Sequence, residues 1–194
     1  MDSLNLDKKK TALVVIDLQK GIASTGREMA PYSSAAVIAN AVKLANAFRK
    51  NNMPVFLVHV MMSSEGERLN PISDDQMMSR TGPPAPDWAD FVPELNKSPT
   101  DIVITKKQWG AFYGTELELQ LRRRKIDTVV MCGIASNYGV ESTARFAYEY
   151  GFQQIFAEDA MTSMTKEMHE ASVNYALKRM GRVRKTEEIQ KELG

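Results

Sequence analysis

A single cysteine in 194 residues excludes an intrachain disulfide, and the lone thiol at Cys132 fits a reducing compartment. Only two histidines occur. Neither His59 nor His169 has another histidine or a carboxylate at ligand spacing, so no metal site is expected. Long apolar runs are missing as well: none approaches the ~18 residues of a membrane span. The first ten residues are polar and basic without an apolar centre, which argues against a secretory signal and for a cytoplasmic location. No excess of one charge exists either. Lys and Arg number 25 against 24 for Asp and Glu, a net charge of +1, so nothing points to nucleic acid or a membrane surface as a partner. The one basic run, 122–125, fits a solvated helix C-terminus. There is no Walker loop, no G-x-G-x-x-G and no G-x-S-x-G elbow, which removes the common nucleotide and serine-hydrolase signatures.

What remains is an ordinary globular composition, 43% hydrophobic, in a chain long enough for one domain over 1–194. Short continuous apolar runs at 11–18, 55–62, 102–105, 128–132 and 153–159 read as strands covered on both faces. Helical spacing falls between them, at 33–50, 116–125, about 139–150 and 166–180. Ser33 or Ser34, Thr115 and Thr165 serve as caps, and Gly151 as a stop. A short edge strand is expected within 183–189. The segment at about 63–97 differs: five of the eight prolines lie between 71 and 93, as in a lid or specificity loop. Trp88, Phe91, Val92 and Leu95 are expected to pin it to the body.

Strands alternating with helices give a parallel sheet with helices on both faces, a three-layer α/β/α sandwich. Ligands in such folds bind beyond the carboxyl ends of the strands, where strand order reverses. Asp17, a lysine at 106 or 107, and the turn 133–139 all lie at such ends. An acid directly after an apolar run is costly to bury without a partner, which favours a functional role for Asp17. Strand alternation lets only one of Lys106 and Lys107 face a given side. Gly139 permits close helix packing or the approach of a ligand. Cys132, inside its strand, reads as a small core residue, and Asp159 as a turn-orienting acid.

The stretches VVIDLQKG (14–21), TKKQWGAFYGTEL (105–117), VVMCGIASNYGVESTARFAYEYGF (129–152) and AEDA (157–160) together resemble the isochorismatase-like hydrolase family of the cysteine hydrolase superfamily. The resemblance implies a Rossmann-like sheet ordered 3-2-1-4-5-6, no cofactor, a small-molecule substrate and a homodimer or homotetramer. It puts Asp17 at the family's aspartate and Lys106, six residues before Phe112, at its lysine. The nucleophile position falls on Gly139, since members with cysteine read G-[VI]-x-x-x-x-C-V where this chain reads GIASNYGV. A glycine carries no nucleophile, so the covalent amidase route is not expected. The implied alternative is that of isochorismatases, which also carry glycine there and hydrolyse a vinyl ether using an acid and water. Asp17 is then the acid, catalytic together with Lys106 and the turn at Gly139. For that role, burial must raise the Asp17 pKa more than Lys106 lowers it. The resemblance further implies a non-proline cis peptide at Ile134–Ala135, gathering the Ala135 and Gly139 N–H groups as an oxyanion site. It also implies substrate contacts from Gln19, Trp109, Phe112, Asn137 and Tyr138, with Arg80 and Trp88 as candidates in the variable loop. Two other readings stay open: a catalytically silent binding or scaffold protein, and a regulatory subunit associating through Met77, Met78 and Trp88.

Overall fold

The structure is a computed structural model that describes residues 4–61, 69, 71–74 and 84–194. Arg80, Met77 and Met78 lie outside them. Six parallel strands form one sheet: β1 (Thr11–Ile16), β2 (Val55–Val60), β3 (Ile102–Lys106), β4 (Thr128–Ile134), β5 (Gln153–Thr162) and β6 (Arg182–Arg184), in the order β3-β2-β1-β4-β5-β6. The expected strand order is the observed one. Every residue of β1 is buried, because helices cover both faces of the sheet. Leu13 and Val15 face one layer with α2 (Ser34–Lys50), the short α1 (Lys20–Ala23) and α7 (Thr186–Leu193). Ala12, Val14 and Ile16 face the other, which holds α3 (Leu117–Arg123), α4 (Glu141–Glu149) and the helical run α5 (Lys166–Ala171), Ser172–Leu177 and α6 (Lys178–Met180).

The caps follow from side-chain chemistry. Ser33 accepts from Ala36 N–H (3.2 Å) and Thr165 from Met168 N–H (3.2 Å), and Gly151 ends α4 at φ +75°. The expected short edge strand is present, but with other bounds: β6 runs only from Arg182 to Arg184, and α7 begins at Thr186. Ile189 and Leu193, four apart, bury on α2's layer, while Glu188 receives the Lys185 N–H and Asp159 receives both the N–H and hydroxyl of Thr186. Asp159 thus orients a turn, as its sequence position suggested. Cys132 is fully buried, and burial pushes its thiol up to about 12, which makes it a core residue. None of the helices in the described residues is long and apolar enough to cross a membrane.

Segment 85–95 is fastened to the sheet's carboxyl end. Lys20 N–H donates to Asp90 O, Gly21 N–H to Trp88 O and Val92 N–H to Leu18 O. Val92 and Leu95 are buried, and Phe91 stacks on His59 at 4.9 Å. His59 itself is braced, with Nδ1 2.8 Å from Ala89 O and Nε2 2.8 Å from Thr105 Oγ1.

Candidate active site

β1 ends at Ile16, and the next residue, Asp17, turns into the left-handed region (φ +53°) while its N–H donates to Val58 O at 2.9 Å. That kink aims the carboxylate across the end of the sheet instead of along the strand. Lys106, the last residue of β3, reaches it past the end of β2: Nζ lies 2.7 Å from Asp17 Oδ2, and the two side chains are 1% and 6% exposed. The same ammonium donates to Trp109 O at 2.5 Å. Strand alternation therefore resolves in favour of Lys106, which is buried, whereas Lys107 is half-buried.

The third component comes from β4. At Gly133 (φ +124°) a Cβ would lie 2.0 Å from Ile16 O, so only glycine lets β4 run this close to β1 before the turn. The Ile134–Ala135 peptide is cis. A single π-turn, Ser136–Val140, follows and leads into α4. A Cβ built on Gly139 in that turn would stand 3.0 Å from Asp17 Oδ2, 3.3 Å from Lys106 Nζ and 2.9 Å from Ile16 Cγ2. Asp17, Lys106 and Gly139 thus converge on one point where the strand order reverses between β1 and β4.

Burial raises the Asp17 carboxyl above its ordinary range. The charge and hydrogen bond of Lys106, and then the charge of His59, pull it down without cancelling that effect. Asp17 Oδ1 is buried and has no hydrogen-bond partner among the described residues. An ammonium has three protons and Lys106 uses two, one on Asp17 and one on Trp109. The arrangement therefore offers one further proton from Lys106 and one free oxygen on Asp17.

The remaining predicted contacts divide. Trp109 is 47% exposed and stands edge-on to Tyr138 with ring centroids 5.0 Å apart, so both can wall a pocket above Lys106. Phe112 requires a correction. It is buried in the core against Tyr150 and Phe152, so it supports the layer and does not face a substrate. Gln19 requires another: its carboxamide is fully buried, accepts Val60 N–H, and donates to Val60 O and Trp88 O. Both of its donors are taken by backbone, which makes it a brace for segment 85–95. Trp88 is half-buried with its indole against Gly21, where a Cβ would come within 1.9 Å of the ring. Asn137 Oδ1 accepts from Ser163 Oγ at 2.5 Å. Among the described residues no group of three or more His, Cys, Asp or Glu could hold a metal ion. A separate open groove of about 1260 Å³ lies between Arg27, Met29, Ile38, Met164 and Lys166; it includes none of the three convergent residues.

Behind the turn lies a polar chain that sequence reasoning did not find. Ser136 Oγ is 2.8 Å from His169 Nδ1, and His169 Nε2 is 3.2 Å from Glu158 Oε1. Its order imitates an acyl-transfer relay, but Ser136 is wholly buried and its hydroxyl also reaches Thr162 O, so it braces the turn. Glu158 is presented by the register shift in β5 and also binds the Tyr32 hydroxyl and Lys185. Burial alone would raise its pKa, but hydrogen bonds from His169, Lys185 and Tyr32 outweigh that and hold it at about 2. A lowered acid stabilises the fold above its ordinary pKa of 4.5 and loses that contribution as pH falls toward about 2. Asp17 acts in the opposite sense, adding stability at low pH that is lost as pH rises through its elevated value. Urea unfolding of Glu158→Gln is thus expected to show a flatter loss of stability below about pH 4.5 than the wild type. An unchanged acid limb would contradict this assignment.

The Isochorismatase domain model matches residues 11–188. The isochorismatase family protein YwoC of Bacillus subtilis (strain 168) is 48% identical, over 97% of this chain and 97% of its own length. The ureidoacrylate amidohydrolase RutB of Pantoea ananatis (strain LMG 20103) is 30% identical over 91% of this chain and 76% of its own. Among solved structures, an isochorismatase family protein from Burkholderia thailandensis superposes with a TM-score of 0.89 at 39% identity, covering 98% of this chain and 97% of that one. The sheet order, the carboxyl-end pairing and these matches lead to one conclusion: the chain belongs to the isochorismatase family.

Proposed function

We propose that this protein is a hydrolase that acts on a small anionic metabolite by acid-assisted attack of water, without a covalent cysteine intermediate. The observation that carries the reading is the point beside Gly139. A Cβ at this residue would lie 3.0 Å from Asp17 Oδ2 and 3.3 Å from Lys106 Nζ, so the backbone of the turn, bare of a side chain, faces both the carboxyl and the ammonium. Where cysteine-dependent members would place a thiol, this chain offers no nucleophile of its own, and Cys132 is buried in the core on β4.

A carboxylated vinyl ether fits this chemistry. The third proton of Lys106 binds the substrate's carboxylate. Asp17 Oδ2 accepts from Lys106, which leaves Oδ1 to carry the acidic proton, and burial favours that protonated form. Transfer of this proton to the enol carbon makes an oxocarbenium ion. Water adds to that ion and returns a proton to Asp17. The resulting hemiketal then expels the alcohol to leave a keto acid, so one water is consumed per turnover. Trp109 and Tyr138 form a wall of the pocket, and the Ala135 and Gly139 N–H groups are assigned, with Lys106, to the substrate's carboxylate. Self-association as a dimer or tetramer belongs to the same reading.

Turnover of a panel of small carboxylated vinyl ethers and amides by wild type and Asp17→Asn tests this reading. Asparagine keeps the shape and tolerates the left-handed backbone, and removal of the acid is expected to lower turnover by ~10²–10⁴-fold. Equal turnover by the two proteins contradicts the mechanism. Absence of any Asp17-dependent turnover replaces it with a silent binding protein, the reading that the glycine at 139 also motivates.

A further inference from the structure

The geometry points to Thr143 as a positioning residue that holds the Lys106 ammonium in place through the loop between β3 and α3. Its role rests on the hydrolase reading above, in which that ammonium must stay beside Asp17. Thr143 is on the first turn of α4, is wholly buried, and touches neither Asp17 nor Lys106 through any hydrogen bond. Its hydroxyl works in both directions. It donates to Gly139 O at 2.6 Å, and it accepts the Ala111 N–H at 3.0 Å. Two residues before Ala111, the Trp109 carbonyl accepts from Lys106 Nζ, which in turn meets Asp17 Oδ2.

A continuous chain results: Gly139 carbonyl, Thr143 hydroxyl, Ala111 amide, Trp109 carbonyl, Lys106 ammonium, Asp17 carboxylate. Its two ends lie on the same small volume, because the Gly139 Cβ position is 3.0 Å from Asp17 Oδ2. Residues 107–116 have no helix or strand of their own, so the position of the Trp109 carbonyl depends on side-chain anchors. Thr143 supplies one at Ala111, and Phe146 supplies another by lying against Gly110, where a Cβ would be 3.3 Å from its ring. Removal of the hydroxyl leaves the buried Ala111 N–H without an acceptor, and the loop must move to satisfy it. The Trp109 carbonyl moves with it. A helix threonine bonded to its own i−4 carbonyl is common and does little by itself. The second bond, to a loop amide two residues from Trp109 in the pocket wall, is what ties the helix to the site.

The hydroxyl donates and accepts at once, so serine preserves the link and valine, of equal shape, abolishes it. Carbon-13 NMR of the Asp17 carboxyl through a pH titration reads the consequence without needing a substrate. The resonance is assigned by its absence in Asp17→Asn. The charged groups that act on Asp17 are Lys106 from β3 and His59 from β2. A looser Lys106 opposes burial less, so the Thr143→Val midpoint is expected to rise by about half a pH unit or more. Thr143→Ser is expected to stay at the wild-type midpoint. Leu121→Ala, a core truncation in α3, should lower stability and leave the midpoint alone. If Thr143→Val does not fold, Thr143→Ala, which has neither donor nor acceptor, carries the same test. An unshifted midpoint alongside lost hydrogen-exchange protection at Ala111 overturns the proposal and leaves Thr143 a plain helix-loop stitch. A shift of equal size in Leu121→Ala overturns it too. Because the readout is a titration, its failure is distinct from failure of the hydrolase reading, which turnover of Asp17→Asn decides.

Discussion

Replacement of Lys106 by methionine is expected to cost about 3–5 kcal/mol of folding stability at neutral pH, measured by urea unfolding. Its side chain is 1% exposed and that of Asp17 is 6%, so water cannot take over the lost interaction. A buried carboxylate left alone is more expensive than the pair is valuable. Asp17 has an escape, which is to take up a proton. The loss should therefore shrink as pH falls, since the lone carboxyl titrates even higher than it does beside Lys106. Asp17→Asn combined with Lys106→Met removes both charges and should regain most of the stability. A single variant as stable as the wild type at neutral pH would mean that the pair is solvated in solution, and the convergence at the strand ends would lose its meaning.

Gly139→Ala is expected to lower turnover by ~10²-fold or more, with a stability cost of about 1–3 kcal/mol. A methyl at that position would stand 2.9 Å from Ile16 Cγ2 and 3.0 Å from Asp17 Oδ2. Ile16 sits on the central strand and is wholly buried, so it has nowhere to move, and the carboxyl and ammonium must separate instead. In the proposed mechanism the methyl would also crowd the approach of water and the reacting carbon to both groups. Turnover and urea unfolding of this variant separate the two effects. Full activity in Gly139→Ala would show that the reaction takes place elsewhere.

The central strands were readable because their chemistry is monotonous: TALVVI cannot be exposed on either face, and a run of that kind must lie mid-sheet. Asp17 was readable for the complementary reason that a charge at the end of such a run needs an explanation. Gln19 and Phe112 misled because residue type says nothing of direction. A carboxamide near a pocket can face backbone as readily as substrate, and Gln19 faces Val60 and Trp88. The helix at Thr186–Leu193 was lost in a strand reading because β6 is only three residues long and blends into it. Ile189 and Leu193, four apart, and the acids at 187 and 188 held the signal. No pattern could have announced Thr143. Its spacing from Gly139 is that of any helix pair, and its second partner is a main-chain amide 32 residues away. The same holds for His169 and Ser136, 33 residues apart and joined only by the approach of α5 to the turn.

The most direct test of the claim that Asp17 delivers a proton to carbon is hydrolysis of a carboxylated vinyl ether in deuterium oxide by wild type and Asp17→Asn. The expected result is a wild type that turns over more slowly in deuterium oxide than in ordinary water, because the proton moved to carbon exchanges with solvent, with little or no product from Asp17→Asn. Equal rates in the two solvents, or Asp17→Asn working at the wild-type rate, would contradict it.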